Sequence, residues 1–405
     1  MKESTKYYQN LFLLILSGEA IFFLPFVIVR IFRPTILAAL DLTNIELGYA
    51  FSVYGVLALI SYFFGGYFAD RFSAKNLIAL SLLTTALLGF LMATIPNYTL
   101  FVIIYGLWGI TTILFFWAPL MKATRSLGGQ TDQGKTFGGL DAGRGAIAAL
   151  MGTLMITYLA VGEVDQPIVI VQKVYLFCAI GLLLIAFMVF SFLKIEAVEK
   201  VEEVRFKAFL ALLTKPVIWR QMLFIFLAYI GYKITDDFAQ YAKDIMGFDD
   251  LDASKVGTFA LWLRPVAALS FGLFADKFSV RFMAIIAFIL AASGSLLFYV
   301  FDFRGTIPFF LINVSIIGVG VYALRGLYFA VMKELKIPAE HTGSVVGLTS
   351  FVGFTPDIFM GLIMGYFLDT YPGIMGHQLL FLFSTVCAML GIINLLFLKS
   401  SNNQF

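Results

Sequence analysis

The chain has 405 residues, of which 60% are hydrophobic and 13% charged, with a formal net charge of +3. A soluble domain carries about 25% charged residues, and no soluble fold of this size hides so much apolar surface, so lipid must serve as solvent. Two cysteines, both inside apolar runs, and a mild basic excess exclude a disulfide scaffold, a disordered tail and a nucleic-acid partner as whole-chain readings.

The opening MKESTKYYQN leads directly into an apolar run of full spanning length, so the first helix is expected to stay in the product. Runs long enough to cross about 30 Å of hydrocarbon then recur down the chain. They predict an all-α membrane protein of twelve transmembrane helices over 9–33, 46–69, 76–96, 99–122, 136–161, 167–193, 217–245, 254–275, 281–302, 307–332, 342–368 and 377–398. The charged stretch 194–215 separates two groups of six, which predicts an N-terminal bundle over 1–193, a cytoplasmic linker, and a C-terminal bundle over 216–405. Within the linker, KIEAVEKVEEVRFKAFLALLTK mixes both charge signs with an apolar second half, as an amphipathic surface helix does. Lys2, Lys6, Arg71, Lys75, Lys122, Arg125, Lys135, Lys277, Arg281, Lys333, Lys336 and Lys399 fall in alternate loops, which places both termini in the cytoplasm of a bacterial inner membrane.

An internal repeat follows. Gly66-Tyr-Phe-Ala-Asp70-Arg71-Phe-Ser-Ala-Lys75 after helix 2 returns 206 residues later as Gly272-Leu-Phe-Ala-Asp276-Lys277-Phe-Ser-Val-Arg281 after helix 8. Eight of the ten positions are identical or exchange one cation for another, so the halves share descent. Gly66, Asp70, Arg71 and Lys75 fit the pattern G-x-x-x-D-[RK]-x-G-[RK]-[RK], and the chain resembles the major facilitator superfamily, whose signature loop this is. It departs at Ser73 and Ser279, where glycine is usual, and at Ala74 and Val280, where the first closing cation is usual.

The resemblance implies a monomeric rocker-switch secondary transporter, with helices 1, 4, 7 and 10 lining a central cavity and helices 2, 5, 8 and 11 flanking it. It also implies gating roles for Asp70, Arg71, Asp276 and Lys277, since an acid at a helix end beside a loop cation can bridge to the neighbouring bundle. The stretch from Arg325 through Asp357 is similar to a bacterial branch whose substrates are mostly unassigned. An arginine in helix 1 with a cation at comparable depth in helix 7 is similar to the organophosphate antiporter branch.

Charges inside apolar helices cost about 2.5 to 3.5 kcal/mol each even on lenient scales, so each is a functional candidate. They are Glu19, Arg30, Asp141, Arg144, Lys173, Lys233, Asp236, Asp237, Arg264, Arg325 and Asp357, nearly all on the helices that the resemblance places around the cavity. Arg30, Lys233, Arg264 and Arg325 are the expected substrate cations, because a guanidinium keeps its charge at low dielectric and fits carboxylate or phosphate with a planar fork. Glu19 and Asp357 are the expected proton-coupling groups, and Arg30 with Asp236 is an alternative external gate pair. Tyr49, Tyr54, Trp117, Tyr229, Trp262 and Tyr322 are candidate lining aromatics.

Each of these charges also admits a structural role in a resident ion pair. Gly129-Gln-Thr-Asp-Gln-Gly134-Lys135-Thr136 satisfies GxxxxGK[ST], but the strand that this phosphate loop requires is missing from the pattern. His341 and His377 are predicted in opposite loops, so neither a metal site nor any other cofactor is expected, and no catalytic constellation appears. Helix 5 lacks the Gly-Pro pair usual in drug-proton antiporters of the superfamily. The expected function is transport of a small organic anion by proton symport or anion exchange. A carrier of neutral or cationic solutes, using Asp236, Asp237 and Asp357 as binding acids, and a non-transporting membrane sensor are the alternatives.

Overall fold

The computed structural model describes residues 2–128, 133–162, 166–194, 213–334 and 342–397. Among them, twelve helical traverses run back and forth across one slab. They are α1 (Lys2–Ala20, a π turn Phe23–Val27, then Ile28–Leu40), α2 (Asn44–Arg71), α3 (Ala74–Met92), α4 (Tyr98–Thr111 and Trp117–Gly128), α5 (Gln133–Val161) and α6 (Pro167–Phe192). The second half repeats the count with α7 (Pro216–Ile234, a 3-10 turn Thr235–Asp237, then Phe238–Asp244), α8 (Asp250–Lys277), α9 (Val280–Val300), α10 (Ile307–Leu327, then Val331–Glu334), α11 (Thr342–Gly353 and Pro356–Thr370) and α12 (Ile374–Leu396). Eleven are long and apolar enough to cross a membrane unaided, and only the broken α4 falls short. Twelve alternating traverses put the start of α1 and the end of α12 on one side, here the terminal face; Asp41, Gly162 and Gly373 lie at the opposite, far face. The linker residues 195–212, the phosphate-loop look-alike at 129–132 and His341 lie outside the described residues.

Local chemistry sets the helix ends. Thr43 and Glu46 close a capping box on α2, and Asn97 and Asp249 cap α4 and α8 through their side-chain oxygens. Ser73 and Ser279, the two departures from the signature loop, accept the backbone N–H of Asn76 at 3.2 Å and of Phe282 at 3.0 Å. A glycine has no oxygen for that bond, so the serines turn both repeats of the loop into capped helix starts.

Where the sequence predicts unbroken helices, the structure interrupts α1, α4 and α11 near their middles, α7 in its last third and α10 near its terminal-face end. Pro25 lacks an N–H, and around it the Val27 N–H reaches back five residues to Phe22. In α4 the Thr112 hydroxyl donates at 2.7 Å to the Trp108 carbonyl, which also accepts the Thr112 N–H at 2.9 Å, a shared acceptor of the kind that bends a helix. In α11 the first part ends at Gly353 and Pro356 opens the second, at a first-turn position where its missing N–H has no helical partner to lose.

Buried apolar side chains form two clusters, one over residues 13–193 and one over 217–395, with Leu261 of α8 crossing into the first. The clusters meet through α2 against α11, α5 against α8, and α1 against α7 and α8. Glycines bring the backbones together along this seam. A Cβ on Gly365 would lie 2.6 Å from the Asn44 carbonyl, on Gly55 2.8 Å from the Ile358 nitrogen, and on Gly257 2.9 Å from the Arg30 carbonyl; Gly48 faces Gly361 more tightly still. These contacts run from the far face to the midplane. Nearer the terminal face, Gly66 and Gly272 meet nothing within 4 Å.

Candidate functional site

The intramembrane charges that the sequence scatters over 340 residues gather into two connected brackets at the seam. In the first, Glu19 of α1 is 3% exposed and accepts from Arg264 of α8 at 2.8 and 3.4 Å and from Arg144 of α5 at 3.2 Å. Gly145 makes room for this, because a Cβ there would sit 3.1 Å from the Arg264 stem. Arg144 also lies 3.7 Å from Asp141, and its guanidinium stands 5.7 Å from the Phe22 ring and 5.8 Å from Trp117.

In the second bracket, Arg30 Nε donates to Asp236 at 2.6 Å, and its Nη1 donates to the Tyr232 hydroxyl at 2.7 Å. Lys233 Nζ lies 3.4 Å from Asp236 and 3.4 Å from Asp357, bridging α7 to α11. The Tyr229 hydroxyl donates to the Asp357 carboxylate at 3.1 Å, and Lys233 rests 4.6 Å from the Phe26 ring and 4.9 Å from Phe51. The 3-10 turn at Thr235–Asp237 places Lys233 and Asp236 three residues apart on one side of α7.

Tyr232 extends the second bracket to Arg325, whose charge in turn acts on Glu19 of the first. Both Arg30 and Arg325 hold their guanidinium carbons 4.3 Å from the centre of its ring, an attraction between cation and π face. Arg325 of α10 is half-buried and, among the described residues, has no carboxylate within ion-pairing distance. Arg30 is buried and keeps Nη2 without a partner. Leaving aside the more exposed Asp141, the site holds Arg30, Arg144, Lys233, Arg264 and the half-buried Arg325 against Glu19, Asp236 and Asp357, five cations to three acids. Counting the partly exposed Asp141 still leaves a net positive site. Buried charge is costly unless paired, so a cluster with more cations than acids is a feature that needs a functional account.

All four cations singled out from the sequence, and the two acids expected to couple protons, lie in these brackets or, for Arg325, against the Tyr232 ring; Arg30 and Asp236 are directly paired. The signature-loop residues lie elsewhere. Arg71 is exposed at the end of α2 with its guanidinium 3.9 Å from the Tyr67 ring, Lys277 is exposed at the end of α8, and the side chains of Asp70 and Asp276 lie outside the described residues. Of the aromatics, Tyr229 touches Asp357, Tyr322 packs edge-on to Tyr232, Trp117 lies near Arg144, and Tyr54 is buried against Thr112. Tyr49 and Trp262 are exposed instead, Trp262 donating to Thr153 on the outer surface. Lys173 stands apart, with its ammonium 6.0 Å from the Tyr158 ring.

Arg144 and Tyr232 were not among the expected binding residues. Arg144 sat on the expected set of helices but carried no mark to separate it from a structural cation, and nothing in sequence distinguishes Tyr232 from seventeen other tyrosines. His377, expected in a loop, lies in the first turn of α12 and is buried, because Asp237 and Asp244 of α7 draw its ring inward.

Known proteins give this arrangement a context. The model of the Major Facilitator Superfamily matches residues 15–357. The chain is 27% identical to the inner membrane protein YihN of Escherichia coli strain K12 over 91% of its own length and 90% of that protein, and 28% identical to the inner membrane protein YqcE of the same strain over 82% and 80%. Its fold superposes with a TM-score of 0.77 on a mutant of the nucleoside transporter NupG, at 12% identity and covering 96% of this chain and 99% of that one. It superposes at 0.74 on a bacterial homologue of the human lysosomal transporter Spinster in an inward-facing, occupied conformation, at 13% identity over 98% and 97%. Twelve traverses in repeated halves, a charged site on the seam between them and a family match over most of its length together make this chain a membrane transporter of the Major Facilitator Superfamily.

Proposed function

We propose that this transporter moves a small organic anion by alternating access, with a proton or a counter-anion as the coupled species. The observation that carries the reading is Arg325, a half-buried guanidinium with no carboxylate partner among the described residues, in a site whose enclosed cations outnumber its acids. A carboxylate or phosphate entering beside Tyr232 would complete that charge balance and accept a bidentate pair from Arg325. Arg30, Lys233 and Arg264 complete the binding set. Each is already held by an acid, so substrate must compete with Asp236, Asp357 or Glu19 for them.

That competition is the coupling step. A proton arriving at Glu19 or Asp357 frees a cation for the substrate, and loss of substrate returns the cation to its carboxylate. Because Glu19 in the first half pairs with Arg264 in the second, and Arg30 in the first with Asp236 in the second, exchanging these partners alters the seam itself. We assign the moving bodies to residues 1–193 and 216–405, joined by the 194–215 linker, with both termini in the cytoplasm of a bacterial inner membrane and a single chain as the working unit. In that orientation the glycine seam closes the outside. Asp70, Arg71, Asp276 and Lys277 are assigned to the opposite gate and Asp236 to the outer one.

A thermal-stability screen of the detergent-purified protein against carboxylates, sugar phosphates, nucleosides and cationic drugs tests the reading. A ligand at about a hundred times its dissociation constant stabilises the folded state by about 2.7 kcal/mol. Stabilisation by one class of anion, lost in Arg325→Ala, is expected. Stabilisation only by neutral or cationic compounds, unchanged in Arg325→Ala, would overturn it and move the binding role to the acids of α7 and α11.

A further inference from the structure

The transport site uses Asp236, but its neighbour Asp237 faces the other way. Asp237 is fully buried, and its Oδ2 lies 2.8 Å from Nδ1 of His377, itself 1% exposed. The second ring nitrogen, Nε2, lies 3.4 Å from Oδ2 of Asp244, a carboxylate 37% exposed at the far-face end of α7. One imidazole thus stands between a carboxylate open to solvent and one sealed in the protein. Gln240 fixes the outer carboxylate by donating to Asp244 at 2.8 Å, and the Tyr241 ring meets the imidazole edge-on at 5.2 Å. The inner carboxylate keeps Oδ1 without a partner.

We propose that Asp244, His377 and Asp237 form a proton relay leading from the far face to the charged site. Imidazole suits this task because it carries two nitrogens of opposite role and its charge changes near neutral pH. Nε2 accepts a proton arriving from far-face water by way of Asp244, and the imidazolium gives its Nδ1 proton to Asp237. One proton enters the ring and one leaves it, which leaves the neutral ring with its N–H on Nε2; a turn of that ring towards the far face lets the bare Nδ1 take up the next proton from the Asp244 side before turning back to Asp237. From Asp237 the next residue is Asp236, bound to Arg30 and near Lys233, which in turn lies beside Asp357. A proton reaching Asp237 therefore lies one residue from the network whose acids compete for substrate cations.

Other charged groups around the ring agree with an inward path. Arg33 of α1 is buried, donates to Asn44 at 2.9 and 3.3 Å, keeps Nη1 without a partner, and its charge acts on Asp237 and Asp244. Tyr241 contributes a hydroxyl without a side-chain partner, and its ring packs in turn against the apolar Phe298, Phe310 and Phe381.

The relay rests on the proton-coupled form of the transport reading, and the two are separable by experiment. The chain has two histidines, so 15N-histidine-labelled transporter in lipid vesicles gives one imidazole signal for each, assigned with His341→Gln. Across about pH 5 to 9 the His377 signal is expected to titrate, and Asp244→Asn is expected to slow exchange of its Nε2 proton with water several-fold. An imidazole fixed in one protonation state throughout, or exchange unchanged by Asp244→Asn, overturns the relay. The second measurement is the pH dependence of stabilisation by citrate and by glucose 6-phosphate. If that dependence is present in the native chain and lost in His377→Gln or Asp244→Asn, the relay stands. If it survives in both variants, the relay falls and proton coupling through Glu19 or Asp357 stands; if the native chain stabilises without any pH dependence, both fall.

Discussion

Arg264 and Arg325 are chemically the same side chain a short distance apart, yet their removal should have opposite signatures. Arg264 makes two of the three bonds that neutralise Glu19, so Arg264→Ala leaves a buried carboxylate with Arg144 as its one ion-pair partner. Breaking a buried pair from one side costs about 3–5 kcal/mol, and a fall of that size is expected in thermal unfolding of the purified protein. Changing both partners, with Glu19→Gln added, should recover part of the loss, since no charge is then stranded. Arg325 pairs with no acid among the described residues, so Arg325→Ala should shift unfolding by no more than about 1 kcal/mol while abolishing stabilisation by anions. At this scale the sequence was partly legible. The cost of intramembrane charge identifies the residues, but partners such as Glu19 and Arg264 stand 245 positions apart, and no periodicity relates them.

Helices were the most legible feature, because apolar length alone dictates where a chain can cross lipid without exposing backbone polar groups. Their interruptions were not. Hydropathy is blind to a hydroxyl that turns back on its own helix, and Thr112 counts as a mildly polar residue in an apolar run. In the folded chain it donates to Trp108 and also meets the Tyr54 hydroxyl at 2.7 Å, tying the bend of α4 to α2. Thr112→Val keeps the shape and removes both bonds, leaving a buried tyrosine hydroxyl unsatisfied. A loss of about 1–3 kcal/mol in thermal unfolding is expected, with helical content by circular dichroism unchanged or slightly raised. Pro25 and Pro356 could be read as breaks from sequence, but both sit in runs so apolar that continuity was the simpler expectation.

For the molecule as a whole, the far face is held by a junction that composition could not suggest. Asp369 at the end of α11 accepts the backbone N–H of Asn44 at 3.2 Å and of Ile45 at 2.7 Å, as well as the Asn44 side chain at 2.9 Å. A carboxylate from one half thus sits on the free N–H groups that begin a helix of the other, where the helix dipole favours it. Asp369→Ala should weaken far-face closure, and Gly365→Leu should prevent it, since even a Cβ there lies 2.6 Å from the Asn44 carbonyl. Spin labels on cysteines replacing Asp41 and Tyr371 report the gap by distance distributions: a longer-distance population is expected to grow in Asp369→Ala and to dominate in Gly365→Leu. An unchanged distribution in both variants would show that the seam does not govern the exchange.

The glycine seam has a further meaning in entropy. Closing an interface lined with long side chains freezes their rotamers, at up to about 2 kcal/mol for each of the longest. Gly48, Gly55, Gly361 and Gly365 have no rotamers to freeze, and the surfaces they bring together are main chain already fixed by its own helices. The closed and open forms of this face can therefore differ little in disorder even though they differ greatly in contact. A seam built largely of main chain can exclude water and part again with few side chains, Asp369 among them, having to find or lose their place.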